Sequence, residues 1–273
     1  MGKGSYRDDV PGIELKNSGH ADLTGIGPRW HHWHMKSEPY QVRRFPEDLE
    51  ANLRLAEELA PTQCAGCGGY HLARARRRLS SGTADALDRD EMVRLLREWA
   101  VDRSLSGTGP LEVVIVGSAD TNLLAIAAEA VSGVGPARYT VLDRCRTPLA
   151  LCEAFARQHG LEVETRRFDM GAPDGTFPAD AIIVHSLLRF LPQFVHLASM
   201  AALKRWLKPG GTIAFSHRLM AANPATPYYK SEYQTLAPLL RLFQEAGLQV
   251  ASLRETVEDG GPRHRILTLL KPA

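Results

Sequence analysis

The residues best placed to do chemistry follow short apolar, β-branched runs. Gly117 follows LEVVIV, Asp143 closes ARYTVLD, and Asp169 closes LEVETRRFD. In an open α/β sheet, ligands bind outside the carboxyl ends of the strands, where the chain turns into the next helix. A glycine permits a sharp turn there, and an acid about twenty residues or slightly more beyond it can accept hydrogen bonds from both ribose hydroxyls. The spacing predicts an adenosine-like ligand at this edge.

The third position adds a feature of its own, because the apolar Met170 follows Asp169. Such a pair can hold an adenine amino group and cover its ring. Each position also has a plain structural interpretation: a glycine at a strand end can be only a turn, and Asp143 before CRTPL can cap a helix. Suitable residues on three consecutive predicted strands favour a binding site over coincidence.

A second set of reactive side chains lies in PTQCAGCGGYH. Cys64 and Cys67 are separated by two residues and followed by glycines, a turn whose backbone amides support zinc-bound thiolates, and His71 is within reach. The segment WHHWH offers a fourth ligand from His31, His32 or His34. The ordinary second CxxC is absent, so reduced thiols in a turn remain the alternative, and WHHWH can be a packed aromatic patch. Four cysteines in 273 residues are too few for a disulfide scaffold.

The elements that must position these residues change character along the chain. PEDLEANLRLAEELA predicts an amphipathic helix that ends before Pro61, and RDEMVRLLREWAVD predicts another. From Leu111 onward, short apolar runs alternate with helical patterns, which is typical of a parallel sheet covered by helices on both faces. The predicted strands are LEVVIVG, ARYTVLD, LEVETRRFD, ADAIIVHS, GTIAFSH, LQVASLRETV and HRILTLL. The predicted helices between them are NLLAIAAEAV, TPLALCEAFARQHG, FVHLASMAALKRWL and EYQTLAPLLRLFQEAG.

These patterns divide the chain into three parts. Residues 1–29 lack periodicity and predict a flexible arm. Residues 30–106 predict a helical cap that binds the acceptor, and residues 107–273 predict the ligand-binding α/β domain. SLSGTGP marks the boundary between the last two parts.

The series VVIVGSAD, VLD, FDM, ADAIIVHSLL and LKPGGTIAFS resembles class I S-adenosylmethionine-dependent methyltransferases in order and spacing, over roughly residues 111–272. LKPGG is its most specific marker. The resemblance implies a seven-stranded, mostly parallel, doubly wound sheet whose glycine turn holds the methionine part of the cofactor, while the two acids bind ribose and adenine. The cofactor-binding residues predicted on this basis are Gly117, Ser118, Ala119, Thr121, Asn122, Asp143, Arg144, Asp169, Met170, His185 and Ser186.

The glycine turn departs from the family pattern, because Ala119 and Thr121 stand where glycine is frequent. This departure keeps open a regulatory or scaffold protein that binds the cofactor without transferring a methyl group. A nicotinamide-binding oxidoreductase shares the ribose acid, but it favours a fuller GxGxxG and gives no reason for LKPGG.

Methyl transfer from a sulfonium requires the protein to align the acceptor and, for some acceptors, to remove a proton. His185 and His217 end the fourth and fifth predicted strands and are the candidate bases. The alternative for each is a hydrogen bond to the cofactor or a strand cap. The residues predicted to contact the acceptor are Trp33, Arg43, Arg218, Tyr228 and Tyr229.

Composition and missing motifs narrow the acceptor. The 33 basic and 31 acidic residues nearly cancel, so no strong field favours nucleic acid or an anionic membrane. HSLL replaces the Asp/Asn-Pro-Pro-aromatic motif of amino-directed nucleic-acid methyltransferases, and no Pro-Cys pair is present. We therefore predict a small-molecule acceptor. No apolar run reaches the ~20 residues of a membrane span, which predicts a cytoplasmic protein. The resemblance implies S-adenosylmethionine as the cofactor, and Cys64, Cys67 and His71 predict zinc as a second one. No pattern in the sequence indicates an oligomeric state.

Overall fold

A seven-stranded sheet organises the part of the chain that the computed structural model describes, which comprises residues 43–64, 67, 69–81, 86–105, 109–219, 233, 235–257 and 264–273. The strands are β1 Leu111–Val116, β2 Ala137–Asp143, β3 Val163–Arg167, β4 Ala179–His185, β5 Leu207–Leu219, β6 Leu248–Val257 and β7 His264–Pro272. The helices are α1 Leu49–Gln63, α2 Tyr70–Ser81, α3 Ala86–Ser104, α4 Asn122–Val131, α5 Arg146–His159, α6 His196–Trp206 and α7 Leu236–Glu245. Two short 3₁₀ turns, Leu187–Phe190 and Gln193–Val195, precede α6.

The strand order is β3-β2-β1-β4-β5-β7-β6. The first five strands pair in parallel, whereas β7 is antiparallel to both β5 and β6. The chain starts in the middle of the sheet at β1, builds one half through β3 and then crosses back to β4. The carboxyl ends of β1 and β4 therefore form the topological switch point, where ligands of open α/β sheets bind. The predicted seven-stranded, mostly parallel fold is confirmed.

Successive side chains of a strand point to opposite faces of the sheet, and helices bury both faces. Val113 and Ile115 of β1 pack with α3, α4 and α5, whereas Val114 and Val116 pack with α6 and α7. All ten residues of α4 are buried, which explains why this helix is almost wholly apolar. No helix within the described ranges has both the length and the apolar character that a bilayer span requires.

The first two helices form a hairpin that packs on α5. Asp48 caps α1, and its side chain accepts a hydrogen bond from the amide of Ala51. The prediction that this helix ends before Pro61 is wrong, because Pro61 lies in the last turn and the helix continues to Gln63. Proline removes one hydrogen bond there, but the Cys64 amide still bonds to the Ala60 carbonyl and closes the turn.

Helix α3 packs against the sheet as part of the main core. Its residues Met92, Leu96 and Trp99 are buried in the same core as α4 and the strands. The predicted boundary at residue 106 thus separates a helix from the core into which it packs. The arm predicted for residues 1–29 lies outside the described residues.

The LKPGG segment has a steric reason for its second glycine. A Cβ on Gly211 would lie 2.9 Å from the carbonyl oxygen of Lys208 and 3.0 Å from that of Asp180. Backbone atoms of a paired strand cannot move aside cheaply. We expect Gly211→Ala to lower the free energy of unfolding by about 1–3 kcal/mol, measured by urea denaturation.

Gly135→Ala is the matched control, since a Cβ there meets nothing within 4 Å. An unchanged stability in Gly211→Ala would contradict this steric account.

Candidate functional site

The carboxyl edge of the sheet brings the three sequence-predicted positions together through backbone hydrogen bonds. The amide of Gly117 donates to the carbonyl of Leu142 at 2.8 Å, and the amide of Phe168 donates to the carbonyl of Asp143 at 3.0 Å. The ends of β1, β2 and β3 are thus in register. Gly117, Asp143 and Asp169 lie at adjacent strand ends, as the sequence pattern predicts.

Asp143 is held rigidly at the end of β2. Its Oδ1 accepts a hydrogen bond from the amide of Cys145 at 2.7 Å, and the amide of Ala119 is a second donor. Burial raises the pKa of this carboxyl, while the two amides and His71 oppose the rise. A carboxylate has about four lone-pair sites, so it retains acceptors for two ribose hydroxyls. These remaining acceptor sites fit the ribose of S-adenosylmethionine.

Asp169 and Met170 differ in exposure. The Asp169 side chain is exposed, and its Oδ1 accepts from the amide of Gly171 at 2.8 Å. Met170 is buried in the core on the α6 side, and its carbonyl accepts from Ser199 Oγ. The expectation that Met170 covers an adenine ring therefore does not fit, because its side chain fills the core beneath this edge.

The turn between β1 and α4 has two residues with left-handed backbone. Gly117 has φ 70° and Ala119 has φ 58°. Alanine pays a steric cost for this conformation, which glycine does not. The Ala119 carbonyl accepts a hydrogen bond from Nδ1 of His71 at 2.9 Å. Ala119 stands at a position where class I methyltransferases often have glycine, and here its carbonyl contacts α2.

The polar side chains of this turn are engaged within the protein. Ser118 Oγ donates to the carbonyl of Asp120, and Asn122 Oδ1 accepts from Arg89. Thr121 Oγ1 donates to Glu47 and accepts from Asn52 Nδ2. Cofactor contacts from these three side chains do not fit this arrangement, because hydrogen bonds within the protein already engage them.

A buried ion cluster fastens the hairpin to the turn. Arg74 Nε donates to Asp120 Oδ2 at 2.6 Å, and Arg78 makes two hydrogen bonds to Glu47. Asp120 Oδ1 also accepts from the amide of Asn122, the first residue of α4. Burial alone raises the pKa of Asp120, but Arg74 and Arg78 outweigh it and hold this pKa below its ordinary value. The sequence pattern did not predict this ion cluster.

The two candidate bases occupy different environments. His185 ends β4, is partly exposed and pairs with Ser216 of β5, while the next residue, Ser186, has left-handed backbone. His217 is fully buried, and burial lowers its pKa to about 3. A histidine with that pKa is neutral and only weakly basic near pH 7, which argues against His217 as a proton acceptor.

The other predicted positions are scattered. Arg144 is exposed beside Asp143, and Arg218 is partly exposed in β5. The amide of Arg43 donates to Ser132, at the end of α4 away from this edge, so the predicted acceptor contact from Arg43 does not fit. Trp33, Tyr228 and Tyr229 lie outside the described residues.

Four metal-ligating side chains meet beside Asp143. The ligand atoms of Cys64, Cys67, His71 and Cys145 all lie within 4.8 Å of one another. The hairpin supplies the first three, and Cys145 immediately precedes α5. Burial raises the pKa of the Cys64 thiol, and a contact with Thr147 at 3.2 Å partly offsets this. His31, His32 and His34 lie outside the described residues.

The protein is similar to known proteins in structure but not detectably in sequence. No protein-family model matches the sequence, and no curated protein matches it. An S-adenosylmethionine-dependent methyltransferase from Clostridium acetobutylicum matches with a TM-score of 0.51 and 11% identity, over 72% of this chain and 99% of that one. The N-methyltransferase NodS from Bradyrhizobium japonicum matches with a TM-score of 0.51 and 14% identity, over 70% and 98%.

TehB from Haemophilus influenzae matches with a TM-score of 0.48 and 14% identity, and the match spans 64% of this chain and 61% of TehB. The first two of these structures align with this chain over nearly their whole length. The chain therefore has the fold of class I S-adenosylmethionine-dependent methyltransferases.

Proposed function

We propose that the protein transfers a methyl group from S-adenosylmethionine to a small-molecule acceptor. The observation that carries this proposal is the alignment of Gly117, Asp143 and Asp169 at adjacent strand ends, next to the topological switch point. A glycine turn followed by two acids on consecutive strands suits a ligand with a ribose and an adenine. The fold similarity supports the same ligand.

Each residue has a defined task in this proposal. Asp143 accepts hydrogen bonds from the ribose hydroxyls, and the exposed carboxylate of Asp169 accepts one from the adenine amino group. When bound, S-adenosylmethionine supplies an electrophilic methyl group on a sulfonium. His185, at the end of β4, takes a proton from acceptors that must lose one.

The charge balance of the sequence supports a small-molecule acceptor. The 33 basic and 31 acidic residues nearly cancel, so the net charge gives no strong attraction to nucleic acid. Arg218 at the end of β5 is partly exposed and is the described residue that we assign to an acceptor group.

A second candidate function is binding of the cofactor without transfer. The hydrogen bonds that the side chains of Ser118, Thr121 and Asn122 make within the protein favour it, since these groups are then not available to the methionine end. The two functions differ in product. Incubation with S-adenosylmethionine and a panel of amine, hydroxyl and thiol compounds yields S-adenosylhomocysteine only for a transferase, and mass spectrometry detects it.

Asp169→Ala tests the adenine contact without disturbing the core, because the side chain is exposed. We expect the affinity for S-adenosylmethionine to fall about 10- to 150-fold, which corresponds to a charged hydrogen bond of about 1.5–3 kcal/mol. Isothermal titration calorimetry measures the affinity.

Asp174→Ala is the matched control, since Asp174 is an exposed acid in the same loop. Equal effects of the two substitutions would argue against a specific adenine contact. Failure of the intact protein to bind either S-adenosylmethionine or S-adenosylhomocysteine would refute both candidate functions.

A further inference from the structure

We propose that Cys64, Cys67, His71 and Cys145 bind one Zn²⁺ ion, and that this ion fastens the α1–α2 hairpin to the edge of the sheet. The CxxC pair and His71 form a local set on the hairpin, as the sequence pattern indicates. Cys145 is the fourth ligand and comes from the core. It directly precedes α5, two residues beyond Asp143.

The distances suit a tetrahedral site. Ligands about 2.3 Å from zinc are separated from one another by about 3.8 Å. The four ligand atoms already lie within 4.8 Å of one another, so small side-chain rotations bring them into the coordination sphere. Three thiolates and one imidazole form a common set of ligands in structural zinc sites. All four cysteines of the chain are described, and none of them forms a disulfide.

Hydrogen bonds around the cluster orient its ligands for a metal. The Ala119 carbonyl can only accept, so Nδ1 of His71 carries the proton and Nε2 keeps the lone pair that a metal needs. Thr147 Oγ1 lies 3.2 Å from Cys64 Sγ, where its hydroxyl can donate to a thiolate. Cys145 stands at the N-terminus of α5, which favours the negatively charged sulfur.

The same groups contact the cofactor site. The Cys145 amide donates to Asp143 Oδ1, and His71 bonds to the carbonyl of Ala119. A metal that fixes Cys145 and His71 therefore also fixes the ribose acid and the β1–α4 turn. This second consequence rests on the proposed function, whereas zinc binding itself does not.

Cys145→Ser tests whether Cys145 is the fourth zinc ligand. We expect the intact protein, purified under reducing conditions with zinc, to contain about one zinc per chain by mass spectrometry of the metal. Loss of a residue that only hydrogen-bonds to a ligand lowers metal affinity about 10- to 100-fold. The variant loses a direct ligand, so its zinc affinity should fall by more than this. Competition with a chelating dye measures the affinity.

Cys152→Ser is the matched control, because Cys152 is a buried thiol of α5 outside the cluster. It should retain zinc. An intact protein that binds no zinc, or a Cys145→Ser variant that keeps its full affinity, would overturn the proposal. The second outcome would return the fourth ligand to His31, His32 or His34, and replacement of these three by alanine would then remove the zinc.

Cobalt substitution gives an answer that does not depend on the folding of any variant. The thiolate-to-cobalt charge-transfer absorption grows with the number of thiolates, and the ligand-field bands report tetrahedral geometry. We expect intensity typical of three thiolates in a tetrahedral site. Intensity typical of two, or octahedral bands, would overturn the four-ligand set.

Calorimetry with S-adenosylhomocysteine, before and after zinc removal under reducing conditions, tests the link to the cofactor site. We expect affinity to fall at least about tenfold on zinc removal. Equal affinity with and without zinc would refute the link and leave the metal site standing. An absence of binding in both forms would instead refute the proposed function.

Discussion

Replacing Asp143 with alanine is expected to weaken S-adenosylmethionine binding by roughly 10²- to 10⁴-fold. The carboxylate is proposed to accept two hydrogen bonds from the ribose, each worth about 1.5–3 kcal/mol when one partner is charged. Neighbouring amides hold it in place, so its orientation is fixed before the ligand arrives. Calorimetric titration with S-adenosylmethionine measures the loss.

Asp143→Asn refines this experiment. Its carbonyl oxygen can still accept from the amide of Cys145, but the charge is gone, so we expect a smaller loss of affinity than with alanine. The melting temperature and zinc content of both variants show whether α5 and the cysteine cluster stay intact. An alanine variant that remains folded and binds within about twofold of the intact protein would remove Asp143 from the cofactor site.

Asp120→Ala is expected to destabilise the protein by about 3–5 kcal/mol, the usual cost of removing one partner from a buried ion pair. Arg74 and Arg78 lose a carboxylate while they remain largely buried, and the amide of Asn122 loses its acceptor. Urea denaturation at neutral pH measures the change. Asp90→Ala is the matched control, because its ion pair with Arg44 is exposed and should contribute less than about 1 kcal/mol.

The contribution of Asp120 also has a predictable pH dependence. Its pKa in the folded protein lies below the ordinary value of 3.8, so its ionised form stabilises the fold. This stabilisation is complete well above pH 3.8 and is lost as the pH falls through the lowered pKa. The stability difference between the intact protein and Asp120→Asn should therefore shrink in acid. A difference that grows in acid would contradict the lowered pKa.

The strands were predictable because their signal is local. The runs at 111–116, 137–143 and 179–185 are apolar and β-branched, and a buried parallel strand needs little else. Helix α4 was equally clear. Helix α2 was missed, although Leu72, Ala75 and Leu79 recur at helical spacing, since its four arginines obscured the pattern. The end of α1 was wrong because a proline in the last turn costs only one hydrogen bond.

The site was predictable only where it belongs to the fold. Gly117, Asp143 and Asp169 follow from strand ends, whereas Asp120 and Cys145 depend on contacts with a distant hairpin. Nothing in the residues around Cys145 shows that it meets Cys64. A cysteine two residues beyond a predicted ribose acid was the available signal, and the packing of the hairpin on α5 is what brings it to Cys64.

The ion cluster between the hairpin and the turn has a consequence for the order of assembly during synthesis. The ribosome makes α2, with its four arginines and no acid, before it makes Asp120. Arg74 and Asp120 lie 46 residues apart in the sequence, so their contact can form only after the β1–α4 turn has been made. The ion cluster, and with it the candidate site beside it, can therefore be completed only once β1 and this turn are present.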